Sequence, residues 1–377
     1  MKKIAIVATN PKSLISFKGD LIKDLVKNKL QVFVLCSEYN DELKKEIKLL
    51  GGIPLDINFN RLSLNIINEF KVILNLIKVL KSISPDYILT YFAKSIIYGI
   101  FCGWFVGIKY KYAIIEGLGY AFTKDPNNFS LKKFILRIII SNLYRFSLSK
   151  ATKVFLLNKD DLYDLLNFKI IKNDFNSFVL GPIGIDLDSY PFNEIDLSNE
   201  FTFLFIGRLI KEKGIIEYLK AAEIINKKFP KTIFVVLGDI ENKRNPGFLE
   251  FSYLNKLLSR RYIIWKKNVN VVKWINSCST FVLPSYREGF PRSSQEAMAV
   301  GRSIITTDVP GCRETVIEGE NGFLIPPGDI TSLVECMEYL ILNPKHNKIM
   351  GQRSNIIARS RFSNKLFNNK IIKHILD

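Results

Sequence analysis

The chain has 377 residues, of which 47% are hydrophobic and 54 are Lys or Arg against 36 Asp or Glu. That length implies two or three domains with large cores. Five cysteines without metal or redox spacing point to a reducing cytosol without disulfides. No cleavage pattern precedes the first strand, and the longest strongly apolar run, residues 95–108, is shorter than the about 20 residues of a membrane span. The net charge of +18 admits three kinds of partner: nucleic acid, anionic lipid or a phosphorylated substrate. Part of it is background in a chain rich in Lys, Asn and Ile together, as a low-GC coding bias would produce. The basic residues are dispersed and no nucleic-acid motif accompanies them, so nucleic acid is set aside for a membrane surface and a diphosphate substrate.

Residues 3–9 (KIAIVAT) form a continuous apolar strand suited to a parallel sheet buried on both faces. A loop over 10–19 is expected next, then a helix to residue 28, a strand at 31–36, a helix at 41–50 and a strand at 52–56. This alternation predicts a doubly wound α/β domain with ligands at the strand C-termini, so Lys18 in the loop is a candidate for binding a diphosphate. The loop has no glycine fingerprint and fails as a P-loop or dinucleotide motif. A long helix over 62–84 ends at Pro85, and 87–91 (YILTY) is a strand. Residues 95–107 read as a packed helix and 110–115 as a strand ending at Glu116-Gly117-Leu118-Gly119. Glu116, a strand-end acid before a glycine loop, is the candidate of this half for touching a substrate. The other reading is a carboxylate capping a neighbouring helix.

Residues 128–150 (NNFSLKKFILRIIISNLYRFSLSK read from 127) make an apolar helix interleaved with Lys132, Lys133, Arg137 and Arg145. That pattern suits an interfacial helix near anionic headgroups, or a core helix with a solvated basic edge. A strand at 154–157 precedes the junction 181–192, where Asp186 and Asp188 mimic an Asp-x-Asp metal motif but lie in a connection away from any strand-end glycine loop. The second α/β domain opens with a strand at 201–206, followed by Gly207-Arg208, and Lys213-Gly214 opens a helix to 228. Arg208 and Lys213 thus flank one strand end, where a guanidinium fork and a point charge can converge on a diphosphate. Strands follow at 232–237, 262–265, 280–283, 303–306 and 321–325, and the last helix covers 364–376.

The stretch 286–301, YREGFPRSSQEAMAVG, carries the most chemistry. A strand closed by Pro284 and Ser285 leads into a Gly-Phe-Pro turn and a helix led by Ser293 and Ser294. Glu288 lies in the loop and Glu296 in the first turn of that helix. The unpaired N–H groups of a helix N-terminus suit a phosphate, and two acids beside it suit sugar hydroxyls. Taken alone, the two acids also read as surface carboxylates flanking a turn.

Together with 207–214, this block resembles the retaining glycosyltransferases of family 4. The resemblance implies the GT-B architecture: α/β, two facing Rossmann-like parallel-sheet domains with a central cleft. Residues 1–192 would hold the acceptor, 193–360 the nucleotide sugar, and 361–377 a helix crossing back to the N-terminal domain. It implies that Arg208 and Lys213 bind the donor diphosphate and that Glu288 contacts the transferred sugar. Backbone at Gly289, Phe290 and Pro291 would join it, and Glu296 would take the ribose hydroxyls. In the N-terminal half, RLSLN (61–65), AKS (93–95) and EGLG (116–119) are similar to bacterial enzymes that add α-linked N-acetylgalactosamine to undecaprenyl-diphosphate sugars, in protein N-glycan and O-antigen assembly. The implied partners are a UDP-sugar, an undecaprenyl-diphosphate-linked saccharide and an anionic membrane surface, with no cofactor and no metal. The implied place is cytoplasmic, on the inner face of the plasma membrane. Ala93 departs from the histidine common in relatives, and acids common around Asn270 and Ser279 are missing. The only histidines, His346 and His374, fall in C-terminal helices, so no histidine base is available; this also speaks against a UDP-sugar epimerase of the same architecture. Another UDP-hexose donor or acceptor fits the same residues, and a non-catalytic basic binding protein does not account for them.

Overall fold

The computed structural model describes residues 1–57, 66–124, 130–243 and 245–377. The chain divides into two compact units, one of Met1–Leu118, Lys132–Gly181 and Lys365–Asp377, the other of Gly119–Leu131 and Pro182–Asn364. The motif RLSLN at 61–65 and the start of the basic helix before residue 130 lie outside the described residues.

The first unit is built on β1 (Lys3–Val7), β2 (Gln31–Cys36), β3 (Ile53–Asp56), β4 (Tyr87–Tyr91), β5 (Tyr110–Ile115), β6 (Lys153–Leu156) and β7 (Ser177–Val179). They form one parallel sheet in the order β3-β2-β1-β4-β5-β6-β7. Ile4, Ala5, Ile6 and Val7 are all buried, as expected of a strand covered by helices on both faces. The helix Asn364–Leu376 completes this unit: Ile371 and Ile375 are buried, Tyr112 Oη donates to the Ile375 carbonyl at 3.4 Å, and Lys153 Nζ donates to the His374 carbonyl at 2.6 Å.

The second unit is built on β8 (Thr202–Ile206), β9 (Ile233–Leu237), β10 (Ile263–Lys266), β11 (Thr280–Leu283), β12 (Ser303–Thr307) and β13 (Gly322–Ile325). The sheet is again parallel, in the order β10-β9-β8-β11-β12-β13. Phe203, Phe205, Phe234 and Phe281 are fully buried, each contributing about 1.5–3 kcal/mol by leaving water. Both sheets reverse their strand order once, between β1 and β4 in one and between β8 and β11 in the other. In such sheets a ligand crevice opens at the strand C-termini at that reversal.

One expectation is corrected. Residues 10–19 are not a loop: a helix runs from Pro11 to Lys27, capped by the Asn10 carboxamide, which accepts the Ser13 N–H at 2.9 Å. Asn followed by Pro is a helix-start signal, with the cap before the proline whose missing N–H needs no partner. Lys18 therefore sits on a helix and is only 2% exposed.

The basic helix spans Leu131–Leu148. Its buried face is Ser141, Tyr144, Ser147 and Leu148, while Ile135, Ile138, Ile139, Leu143 and Phe146 are 44% to 51% exposed. It is therefore not a core helix with a basic edge; three of its four isoleucines face outward. No described helix is long and apolar enough to cross a membrane.

Candidate active site

In the second unit, the C-terminal ends of β8 and β11 bring two chain segments together at the strand-order reversal. After β8 comes Gly207-Arg208 and a short 3-10 turn, Lys211–Lys213. Gly214 then adopts a left-handed φ of 72°, and a Cβ there would lie 2.0 Å from the Pro284 carbonyl oxygen. Only glycine lets the segment after β8 approach the segment after β11 this closely. The contact fixes Lys213, whose Nζ donates to Glu288 Oε1 at 2.5 Å. Ser285 Oγ donates to the same oxygen at 2.8 Å.

The loop carrying Glu288 is held by its backbone. Tyr286 N–H donates to the Glu212 carbonyl at 2.9 Å, and Glu288 N–H to the Pro310 carbonyl at 3.0 Å. Gly311, at φ 77°, lets a second turn pass beneath: its Cβ would lie 2.4 Å from the Glu288 carbonyl oxygen. Gly289, Phe290 and Pro291 are buried in the turn that follows. Arg208 is placed differently from Lys213. Its guanidinium is about half exposed and 3.5 Å from Glu241 Oε1.

The helix after the turn is Arg292–Val300, so Glu296 is in its second turn and not, as the sequence suggested, its first. Its N-terminus has no side-chain cap, and the buried Ser294 hydroxyl and Gln295 side-chain Oε1 have no hydrogen-bond partner among the described residues. Glu296 Oε1 accepts from Tyr190 Oη at 2.8 Å and from Arg292 Nε at 2.9 Å. Burial pushes the Glu296 carboxyl above the ordinary carboxylate range, with Arg292 and the Tyr190 hydroxyl opposing it. Burial likewise raises the Tyr190 phenol, and the carboxylate beside it adds to the effect.

Four of these partners escaped the sequence reading. Arg292 was legible in principle, because residues four apart on a helix face each other. Ser285 and Arg287, whose Nη1 donates to the Phe122 carbonyl at 3.3 Å, follow β11 directly. Tyr190 carried no local signal, since its partner is 106 residues away. Asp186 is engaged in capping its own turn, accepting from Asp188 N–H at 3.3 Å and from Ser189 Oγ at 2.6 Å.

In the first unit, Glu116 directly follows β5 and is not a helix cap. Its Oε1 lies 2.8 Å from Lys18 Nζ, the two side chains being 9% and 1% exposed. The contact lacks hydrogen-bond alignment, so it is an electrostatic pairing of two buried charges. Lys18 Nζ also sits 4.5 Å from the centre of the Phe367 ring. Phe92, just past β4, has the strained φ of 66°, and the neighbouring Tyr91 and Ser95 hydroxyls are buried without partners among the described residues.

Two nucleotide-binding-like parallel sheets, with a Lys–Glu–Ser cluster at the strand ends of the second, define a glycosyltransferase of the GT-B fold. The family model described as glycosyl transferases group 1 matches residues 190–356, and the one described as glycosyl transferase 4-like matches residues 3–158. The chain belongs to the family 4 glycosyltransferases. It is 28% identical over 345 residues, 88% of each chain, to the N,N'-diacetylbacillosaminyl-diphospho-undecaprenol alpha-1,3-N-acetylgalactosaminyltransferase of Campylobacter jejuni. It is 25% identical, over 73% of this chain and 71% of the other, to the UDP-Gal:alpha-D-GlcNAc-diphosphoundecaprenol alpha-1,3-galactosyltransferase of Escherichia coli. Among solved structures, Anabaena HepE in complex with UDP and glucose superimposes with a TM-score of 0.76 at 16% identity, covering 100% of this chain and 99% of that one. Sucrose-phosphate synthase from Thermosynechococcus elongatus does so at 0.77 and 15%, covering 100% and 98%.

Proposed function

We propose that this enzyme is a retaining, metal-independent transferase that moves N-acetylgalactosamine from UDP to an undecaprenyl-diphosphate-linked saccharide, forming an α-1,3 linkage. The observation that carries the reading is the Lys213–Glu288–Ser285 cluster at the β8/β11 crevice, in a chain similar over most of its length to an enzyme named for that transfer. Lys213 and Arg208 face the donor diphosphate, and Glu288, with the backbone of Gly289, Phe290 and Pro291, faces the transferred sugar. Glu296, oriented by Tyr190 and Arg292, holds the ribose hydroxyls.

The acceptor hydroxyl attacks the sugar C1 on the face from which the diphosphate leaves. The C1–O bond to the diphosphate breaks, a C1–O bond to the acceptor forms, and the hydroxyl proton passes to the departing UDP. No histidine base is required, and the cations stabilise the charge that develops on the leaving oxygen. Glu116 is assigned to the acceptor, and Lys18, first considered for the diphosphate, to holding Glu116 in place.

The acceptor places the enzyme on the inner face of the plasma membrane, in assembly of a glycan, O-antigen or capsule. The outward isoleucines of the Leu131–Leu148 helix support this, as does a neighbouring exposed aromatic group, Trp104, Phe105 and Phe146, with Lys150 Nζ 4.9 Å from the Trp104 ring. Galactose is the second reading of the transferred sugar, favoured by the E. coli relative. The test is UDP release from a panel of UDP-hexoses with a lipid-diphosphate sugar acceptor, with the product anomer read by NMR. Release from UDP-N-acetylgalactosamine with an α-product is expected; a β-product, or no turnover of any donor, overturns the reading.

A further inference from the structure

A groove on the first unit belongs to no part of this chemistry. Its larger section, about 920 Å³, lies between the end of the Leu131–Leu148 helix, the N-terminal ends of β6 and β7, and the segment 166–177. A smaller section of about 310 Å³ continues along the same helix past Phe134, Ile138 and Ser141. Arg145 stands between them. It is held by the Lys169 and Phe168 carbonyls at 2.7 and 3.2 Å and by Asn142 Oδ1 at 2.6 Å. From Phe134 to Leu148 the helix rises about 21 Å at 1.5 Å per residue, so the groove follows most of its length.

Its chemistry is two-sided. Leu148, Val154, Leu166 and Ile170 make an apolar floor. Arg137, Arg145, Lys169 and Lys172 supply the charge, and no carboxylate is among the described residues that line either section. Arg137 is fixed over the Phe134 and Phe168 rings at 5.4 and 5.0 Å, while Lys169 and Lys172 pair with no described acid. Phe175, beside the mouth, is 87% exposed. Apolar floor, cationic rim and a protruding phenyl ring match an amphiphile with an aliphatic chain and a phosphate.

The geometry points to a binding site for an anionic phospholipid of the membrane, its acyl chain in the groove and its phosphate at Lys169 and Lys172. This rests on the membrane reading above. The groove opens at the N-terminal ends of β6 and β7, whereas Glu116 follows the C-terminal end of β5. In the sheet register the start of β6 is level with Tyr112, four residues before Glu116, which separates the two levels by roughly 13 Å at about 3.3 Å per residue. In a lipid-linked acceptor the first sugar sits directly on the diphosphate, so a diphosphate held at Lys169 and Lys172 leaves that sugar short of Glu116, and the occupant is a lipid of the surface itself.

The test uses the full chain with phosphatidylcholine vesicles containing phosphatidylglycerol whose acyl chain bears a photoreactive group. Crosslinks are expected at Leu166, Ile170 and Val154, and to persist with excess polyprenyl-diphosphate sugar. Ala151→Phe, which fills the groove without changing charge, should abolish them. A second variant, Lys169→Asn with Lys172→Gln, should weaken vesicle binding about thirtyfold, at roughly 1 kcal/mol per basic residue near an anionic surface. Asn is chosen because residue 169 has a φ of 52°, which Asn tolerates. Crosslinks confined to the outward stripe at Ile135 and Ile139 would overturn the groove and leave the membrane reading standing. Displacement by the acceptor would overturn the choice of occupant, and failure of the native chain to bind such vesicles would overturn both readings.

Discussion

Replacing Lys213 by Ala tests the centre of the proposed site. The side chains of Lys213 and Glu288 are 22% and 13% exposed, so the pair is shielded from water but not sealed. Loss of a donor aimed at developing negative charge costs about 2.7–4 kcal/mol in barrier, or roughly 100- to 1,000-fold in kcat at about 1.4 kcal/mol per tenfold. Lys213→Ala also leaves Glu288 with Ser285 as its remaining side-chain donor, so the carboxylate loses its fixed orientation. Glu288→Gln, measured alone, should lower kcat by a comparable factor. Because the two groups touch, the double variant should lose little more than the worse single one, where independent residues would multiply. Arg208, half exposed beside Glu241, should give a loss near 100-fold. The assay is steady-state UDP release with a lipid-diphosphate sugar acceptor, with thermal unfolding as a check on integrity. Near-normal turnover of Lys213→Ala, or full multiplication of the two losses, would refute the reasoning.

Glu296→Gln should raise the KM for donor more than it lowers kcat, since its contacts are the same in ground and transition states, and direct UDP binding should weaken with it. The same variant has a stability signature. A carboxyl raised by burial contributes stability that is fully present below its ordinary range and is lost as pH rises through the raised value, so Glu296→Gln should have the higher Tm at neutral pH and a difference that vanishes on acidification. Gly214→Ala should unfold more easily, or fold with a disrupted site, because its Cβ meets the Pro284 carbonyl; calorimetry with kcat decides. Transfer should persist in excess EDTA, and Asp186→Ala should cost about 1 kcal/mol of stability as a lost cap without creating a metal response. Changing Lys132 to Glu, or Trp104 and Phe105 to Ser, should weaken sedimentation with anionic vesicles and slow lipid-linked acceptor turnover more than that of short soluble acceptors.

Where the chain is buried on both faces, its plan could be read residue by residue. The short, mainly apolar strands β4, β5 and β11 fall at the expected residues, because no helix periodicity competes with them. Lys213 and Glu288 stand out singly because each follows a strand of the second domain, but their contact is visible only in the structure. What could not be read depended on distance or on a cap. Pro11 reads as a loop residue in sequence but starts a helix, which puts Lys18 in the interior and not in a cleft loop. Tyr190 could not be matched with Glu296, nor Lys18 with Glu116, since no local spacing links residues so far apart in sequence. The groove was invisible for the same reason: its two walls come from a helix and a loop that each read as ordinary surface.

The division of the chain also bears on its synthesis. Because residues 365–377 belong to the first unit, the N-terminal sheet lacks Phe367, Ile371 and Ile375 from its interior until those residues have emerged. The second unit, apart from the short segment 119–131, is contiguous from Pro182 to Asn364 and can close before that moment. Vectorial folding would therefore run against the usual N-terminal-first order. The first unit would then be the last to mature, and its half-built apolar surfaces would wait longest for cover.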